Sequence, residues 1–143
     1  MRSIEKINLL LDEVEKKIQF NDLRKSNLTR ILELYRLLEL SQKHPDFSTI
    51  FKYKAMNLAG IGLKKEDFAE IREGKYVQII SITYELHNEG KRILKNSSLG
   101  YFGKAEKLTK EMKSNIIEFV LRWRYEKTFQ HSEHYKELLA KLH

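Results

Sequence analysis

Residues 76–84 read Tyr-Val-Gln-Ile-Ile-Ser-Ile-Thr-Tyr, and the assignment of this stretch decides the fold class. β-Branched and aromatic side chains dominate it, which is strand composition. A strand must pair, however, because an isolated one leaves its backbone N–H and C=O groups unmatched. No second run of this type is visible in the chain. Segment 75–95 is therefore predicted to be a helix with Ile79, Ile82, Leu86 and Ile93 inward.

Outward from it, the apolar spacing is helical. Ile4, Ile7, Leu11, Val14 and Ile18 recur at intervals of three and four. Leu28, Ile31, Leu32, Tyr35 and Leu38 do the same over 23–44, ending at His44-Pro45. Helices are also predicted over 46–58, 64–73, about 103–130 and about 132–142, with a loop at 96–100. One proline and six glycines cannot supply the turns of a β-sandwich or barrel. The expected fold is all-α: a single compact helical bundle of about six to seven helices, with residues 1–143 as one domain.

The 143 residues contain no cysteine, which excludes a disulfide scaffold, a thiolate metal site and thiol catalysis. Glu5, Lys6, Asn8 and Asp12 interrupt any signal-peptide core. No run approaches the roughly 20 apolar residues of a membrane span. The expectation is a soluble, cytoplasmic protein.

The formal charge of +7 is unevenly distributed. Residues 1–50 hold 9 basic and 8 acidic side chains, 51–90 hold 6 and 6, and 91–143 hold 12 and 6. Lys91, Arg92 and Lys95 close one predicted helix, and Lys104, Lys107, Lys110 and Lys113 fan across one face of the next. Tyr101 and Phe102 stand between the two groups. Mobile lysines neutralise phosphates without reading bases, and an exposed ring such as Tyr101 can stack on one. The reading is a basic, non-catalytic helical module that contacts a nucleic-acid backbone, DNA or RNA, within a larger complex. A solvated lysine face that only maintains solubility is the plainer alternative.

Ile117, Leu121 and Tyr125 form a second apolar seam near Trp123. Either other helices cover it, or it docks a protein partner or a second copy. A protein–protein adaptor without nucleic acid is thus the second functional reading.

Leu58-Ala59-Gly60-Ile61-Gly62 resembles the turn of helix-hairpin-helix DNA-binding motifs. That resemblance implies phosphate held by turn amides beside Lys64 and Lys65. An ordinary turn needing positive φ accounts for the same glycines. Arg124 and His131, six residues between them, resemble the Arg/His motif of HEPN-domain ribonucleases, which are small helical bundles. The resemblance implies Arg124 on phosphate charge and His131 as general acid/base, the third functional reading. His131, His134 and Glu137 do not amount to a convergent metal set, and no nucleotide-binding or hydrolase motif appears. No metal and no cofactor are expected, and no membrane partner.

Overall fold

A computed structural model describes the backbone of residues 3–143 and the side chains of 5–9 and 21–143. It contains two long helices, α1 (Ser3–Leu37) and α2 (Lys110–Ala140). Between them lies a three-stranded antiparallel sheet in the order β1 (Ala55–Ala59), β2 (Tyr76–Leu86), β3 (Arg92–Lys104). Short 3-10 turns cover Leu40–Gln42, Phe47–Lys52 and Ala105–Lys107. The fold is therefore mixed α and β, and the all-α bundle is overturned.

The segment 75–95 is not a helix. Tyr76–Leu86 is the central strand, and it has partners on both sides. One is the short Ala55–Ala59, inside the predicted helix 46–58. The other is Arg92–Lys104, assigned from sequence to a helix end, a loop and a helix start. That strand is polar because most of it faces water, and only Leu99 and Gly100 in it are buried. Register shifts between Tyr76 and Gln78 and between Ile79 and Ile80 further break its alternation. Gly100 sits where a Cβ would come within 2.6 Å of Leu40 Cδ2 and 2.9 Å of Phe102 Cζ, so this strand interior takes a glycine for close packing.

The other helix boundaries shift as well. No glycine or proline interrupts residues 19–23, and α1 runs through both predicted N-terminal helices. It ends before Pro45, with Glu39 in the left-handed region at φ 58. Ile7 is exposed, while the side chains of Ile4, Leu11, Val14 and Ile18 lie outside the described residues. Asp46 caps a 3-10 turn instead of a full helix, its carboxylate accepting from Ser48 N at 3.0 Å and Ser48 Oγ at 2.6 Å. Residues 64–69 form turns, not a helix. α2 absorbs the two predicted C-terminal helices and starts at Lys110, where Thr109 Oγ1 accepts from Met112 N at 3.1 Å.

α1 and α2 run antiparallel and are joined by a polar ladder. Arg24 Nη2 meets Glu126 Oε1 at 2.8 Å, with Glu126 only 1% exposed. Asn27 donates to the Arg122 carbonyl at 2.9 Å. Arg30 grips Glu118 through Nε and Nη2, both at 3.0 Å. Hydrogen bonds from Arg30 hold the Glu118 carboxyl below its usual range, and Arg122 adds to the effect. Beyond this ladder the helices meet the sheet. Ile31, Leu34, Tyr35, Ile116, Phe119, Val120 and Trp123 pack with Met56, Val77, Ile79 and Leu99 in one buried cluster.

Tyr35 in that cluster carries a buried hydroxyl with no hydrogen-bond partner, and its ring meets Phe47 edge-on at 5.2 Å. Burial pushes its ionisation above the usual tyrosine value. Tyr35→Phe removes the orphaned group and is expected to leave stability unchanged or raise it by up to about 1 kcal/mol in urea denaturation. A loss of about 1 kcal/mol or more would contradict the unpartnered hydroxyl.

Candidate nucleic-acid interface on the open sheet face

Side chains alternate across a strand. In β2 the inward set is Val77, Ile79 and Ser81, all buried under the helices. The outward set is Tyr76, Gln78, Ile80, Ile82, Tyr84 and Leu86. Cross-strand register places Ala55 and Asn57 of β1 and Arg92, Leu94, Asn96 and Ser98 of β3 on the same outward face. Tyr101 and Lys104 join them opposite Gln78 and Tyr76. This face contains no aspartate or glutamate. Tyr76, Tyr84, Leu94 and Tyr101 on it are each about half exposed, and the buried cluster shared with the helices takes Val77 and Ile79 of the opposite face.

The cations lie toward the two ends. At one, Lys54 Nζ donates to the Tyr84 hydroxyl and lies 4.3 Å from the ring centroid. The Arg92 guanidinium approaches the same ring at 5.9 Å. At the other end Lys104 is the register partner of Tyr76, whose ring lies 5.8 Å from that of Tyr101, the planes inclined by 31°. Glu106 is turned away and accepts from Gly74 N at 3.0 Å. Backbone amides of Glu106 and Gly74 keep its carboxyl below the ordinary range.

The sequence-derived basic set is thus divided. Lys91 lies in the β2–β3 turn, where Gly90 N donates to His87 O at 2.8 Å. Arg92 and Lys95 begin β3, but Lys95 points to the opposite face and pairs with Glu85 at 2.9 Å. Lys104 ends β3, roughly 35–40 Å from Arg92 at about 3.3 Å per residue. Lys107 is in a 3-10 turn, and only Lys110 and Lys113 lie on a helix. Lys113 Nζ donates to the Ala69 carbonyl at 3.2 Å. The cations form two groups and not one helical wall.

The apolar seam is divided too. Ile117 and Trp123 belong to the core, with Trp123 Nε1 donating to Ile50 O at 2.8 Å. Leu121 and Tyr125 remain exposed. Arg124 has a structural contact: Nε and Nη2 donate to Met56 O at 3.1 and 3.0 Å, closing the free edge of β1. Burial lowers its ionisation from the usual arginine value. His131 is exposed on α2, and the helical bundle implied by the ribonuclease resemblance is not the fold observed. The helix-hairpin-helix resemblance loses its helices, since Leu58 and Ala59 close a strand and 64–69 are turns. Among the described residues no group of three or more His, Asp or Glu is placed to hold a metal ion, and no helix is long and apolar enough to cross a membrane.

Tyr76, Tyr84 and Lys54 were missed in the sequence. The signal was the even-numbered register of residues 76–84, which separates the tyrosines from Val77, Ile79 and Ser81 once the segment is a strand. Fold and surface together define a mixed α and β protein that presents one open, cation-ended sheet face. Compared with known proteins, the chain matches no family model, no curated protein and no solved structure.

Proposed function

We propose that the protein is a non-catalytic nucleic-acid-binding module whose contact surface is the open sheet face. The observation that carries this is a sheet face to which none of the three strands contributes a carboxylate, bounded by Lys54 and Arg92 at one end and Lys104 at the other. A polyanion laid along it meets cations at both ends and no repulsion between them. Arg92, Tyr101 and Lys104 come from the sequence-derived set, and Lys54, Tyr76 and Tyr84 join them. A cytoplasmic location belongs to the same proposal and fits the absence of cysteine.

Anisotropy titration of a labelled oligonucleotide at several salt concentrations tests it. Three neutralised phosphates give a slope of about −2 in log affinity against log salt for a single strand. A triple charge reversal at Lys54, Arg92 and Lys104 is expected to lower affinity at least about tenfold in 0.1 M salt. Lys95→Glu, on the opposite face, is expected to change it little. No binding by the wild type would remove the proposal. The protein-docking alternative would then stand on Leu86, Ile93 and Leu94, apolar and exposed on the β2–β3 arm.

A further inference from the structure

The tyrosines on the sheet face set a condition that charge alone does not. Tyr76 and Tyr101 come from adjacent strands, are each about half exposed, and lie side by side with their planes within 31° of each other. Tyr84 stands eight residues along β2, bracketed by Lys54 and Arg92. Between the two aromatic stations lie Ile80 and Ile82 of β2, flanked by Asn57, Asn96 and Ser98 and preceded by Gln78, neutral groups that donate and accept hydrogen bonds.

A duplex keeps its bases stacked on one another and offers only phosphates and groove edges. A single strand can turn each base onto an aromatic face. From Tyr76 to Tyr84 the strand spans about 27 Å at about 3.4 Å per residue. A nucleic-acid strand that kept its bases stacked at about 3.4 Å would cover that distance with about eight nucleotides, and a strand unstacked onto the rings covers it with fewer.

We infer that the open sheet face is a stacking platform for one single strand of nucleic acid, at most about eight nucleotides long, with the Tyr76–Tyr101 pair at one end and Tyr84 at the other. The inference rests on the proposed nucleic-acid reading and narrows it to unpaired strands.

The test uses the full chain, labelled oligothymidine and oligouridine of 4 to 16 nucleotides, a 16-base-pair duplex, and inorganic polyphosphate as competitor. Affinity is expected to climb with length and flatten at or before about eight nucleotides, and the single strands should bind tighter than the duplex. Tyr76→Ala and Tyr101→Ala are each expected to weaken single-strand binding at least about fivefold, with the salt slope unchanged. Tyr76→Phe and Tyr101→Phe retain the ring and should bind as the wild type does. Duplex binding as tight as single-strand binding, or alanine variants with wild-type affinity, overturns the platform and leaves the phosphate-binding reading standing. Full displacement by equimolar polyphosphate overturns the platform alone, and a wild type that binds no nucleic acid overturns both. The length series needs no substitution, so it decides the matter even where an alanine variant fails to fold.

Discussion

Replacing Arg24 with methionine is expected to destabilise the protein by about 3–5 kcal/mol. Glu126 is 1% exposed, and Arg24 satisfies it through Nε at 2.9 Å and Nη2 at 2.8 Å. Among the described residues the remaining hydrogen bond, from Gln130 Nε2, is 3.5 Å long. Methionine keeps much of the aliphatic stem but leaves a carboxylate desolvated and nearly unpartnered. Arg24 itself is one-third exposed, so the reverse change, Glu126→Met, frees a cation that water can reach and should cost less. The double variant Arg24→Met/Glu126→Met restores an apolar contact between the helices. It should recover most of the loss, because a well-packed apolar pair can replace a buried ion pair at little net cost. Urea denaturation of the four proteins gives the coupling directly. A single Arg24→Met variant within about 1 kcal/mol of wild type would show that Glu126 is hydrated or partnered otherwise.

Gly60→Ala is the second large effect, expected at about 2–5 kcal/mol from two sources. Gly60 has φ +88, a conformation that costs a residue with a Cβ about 1–2 kcal/mol. A Cβ there would also lie 2.7 Å from the Tyr76 carbonyl oxygen and 2.9 Å from Val77 Cγ2, an overpacking cost of about 1–3 kcal/mol. Gly74→Ala separates the two. Its φ is +78, yet nothing lies within 4 Å of the added Cβ, so only the backbone cost of about 1–2 kcal/mol remains. Gly60→Ala should have the lower melting temperature of the two. Because the obstructed carbonyl belongs to Tyr76, that variant should also weaken oligonucleotide binding. Equal melting temperatures would contradict the close approach.

The long helices were legible in the sequence because their inward residues recur at helical spacing, as Ile31, Leu34, Tyr35 and Leu38 do. The sheet was not. Its central strand was recognisable in composition, and only the lack of a visible partner turned the assignment to helix. Of the partners, Ala55–Ala59 is too short to show a period, and Arg92–Lys104 has two buried residues in thirteen. A strand that covers little core carries little hydrophobic pattern. The site followed the fold. Charge and aromaticity single out Arg92, Tyr101 and Lys104, and both survive a wrong assignment of secondary structure. Lys95 was selected on the same ground but faces the other way, since one step along a strand reverses the side chain. Arg124 and Trp123 stood out by residue type, and their contacts with Met56 and Ile50 are made through tertiary structure.

Photo-crosslinking measures the central claim most directly. A 4-thiouridine octamer bound to the wild-type protein, irradiated and mapped by mass spectrometry, is expected to yield adducts within residues 76–104, concentrated at Tyr76, Tyr84 and Tyr101. Adducts confined to α1 or α2, with none on β2 or β3, would contradict the assignment of the open sheet face as the binding surface.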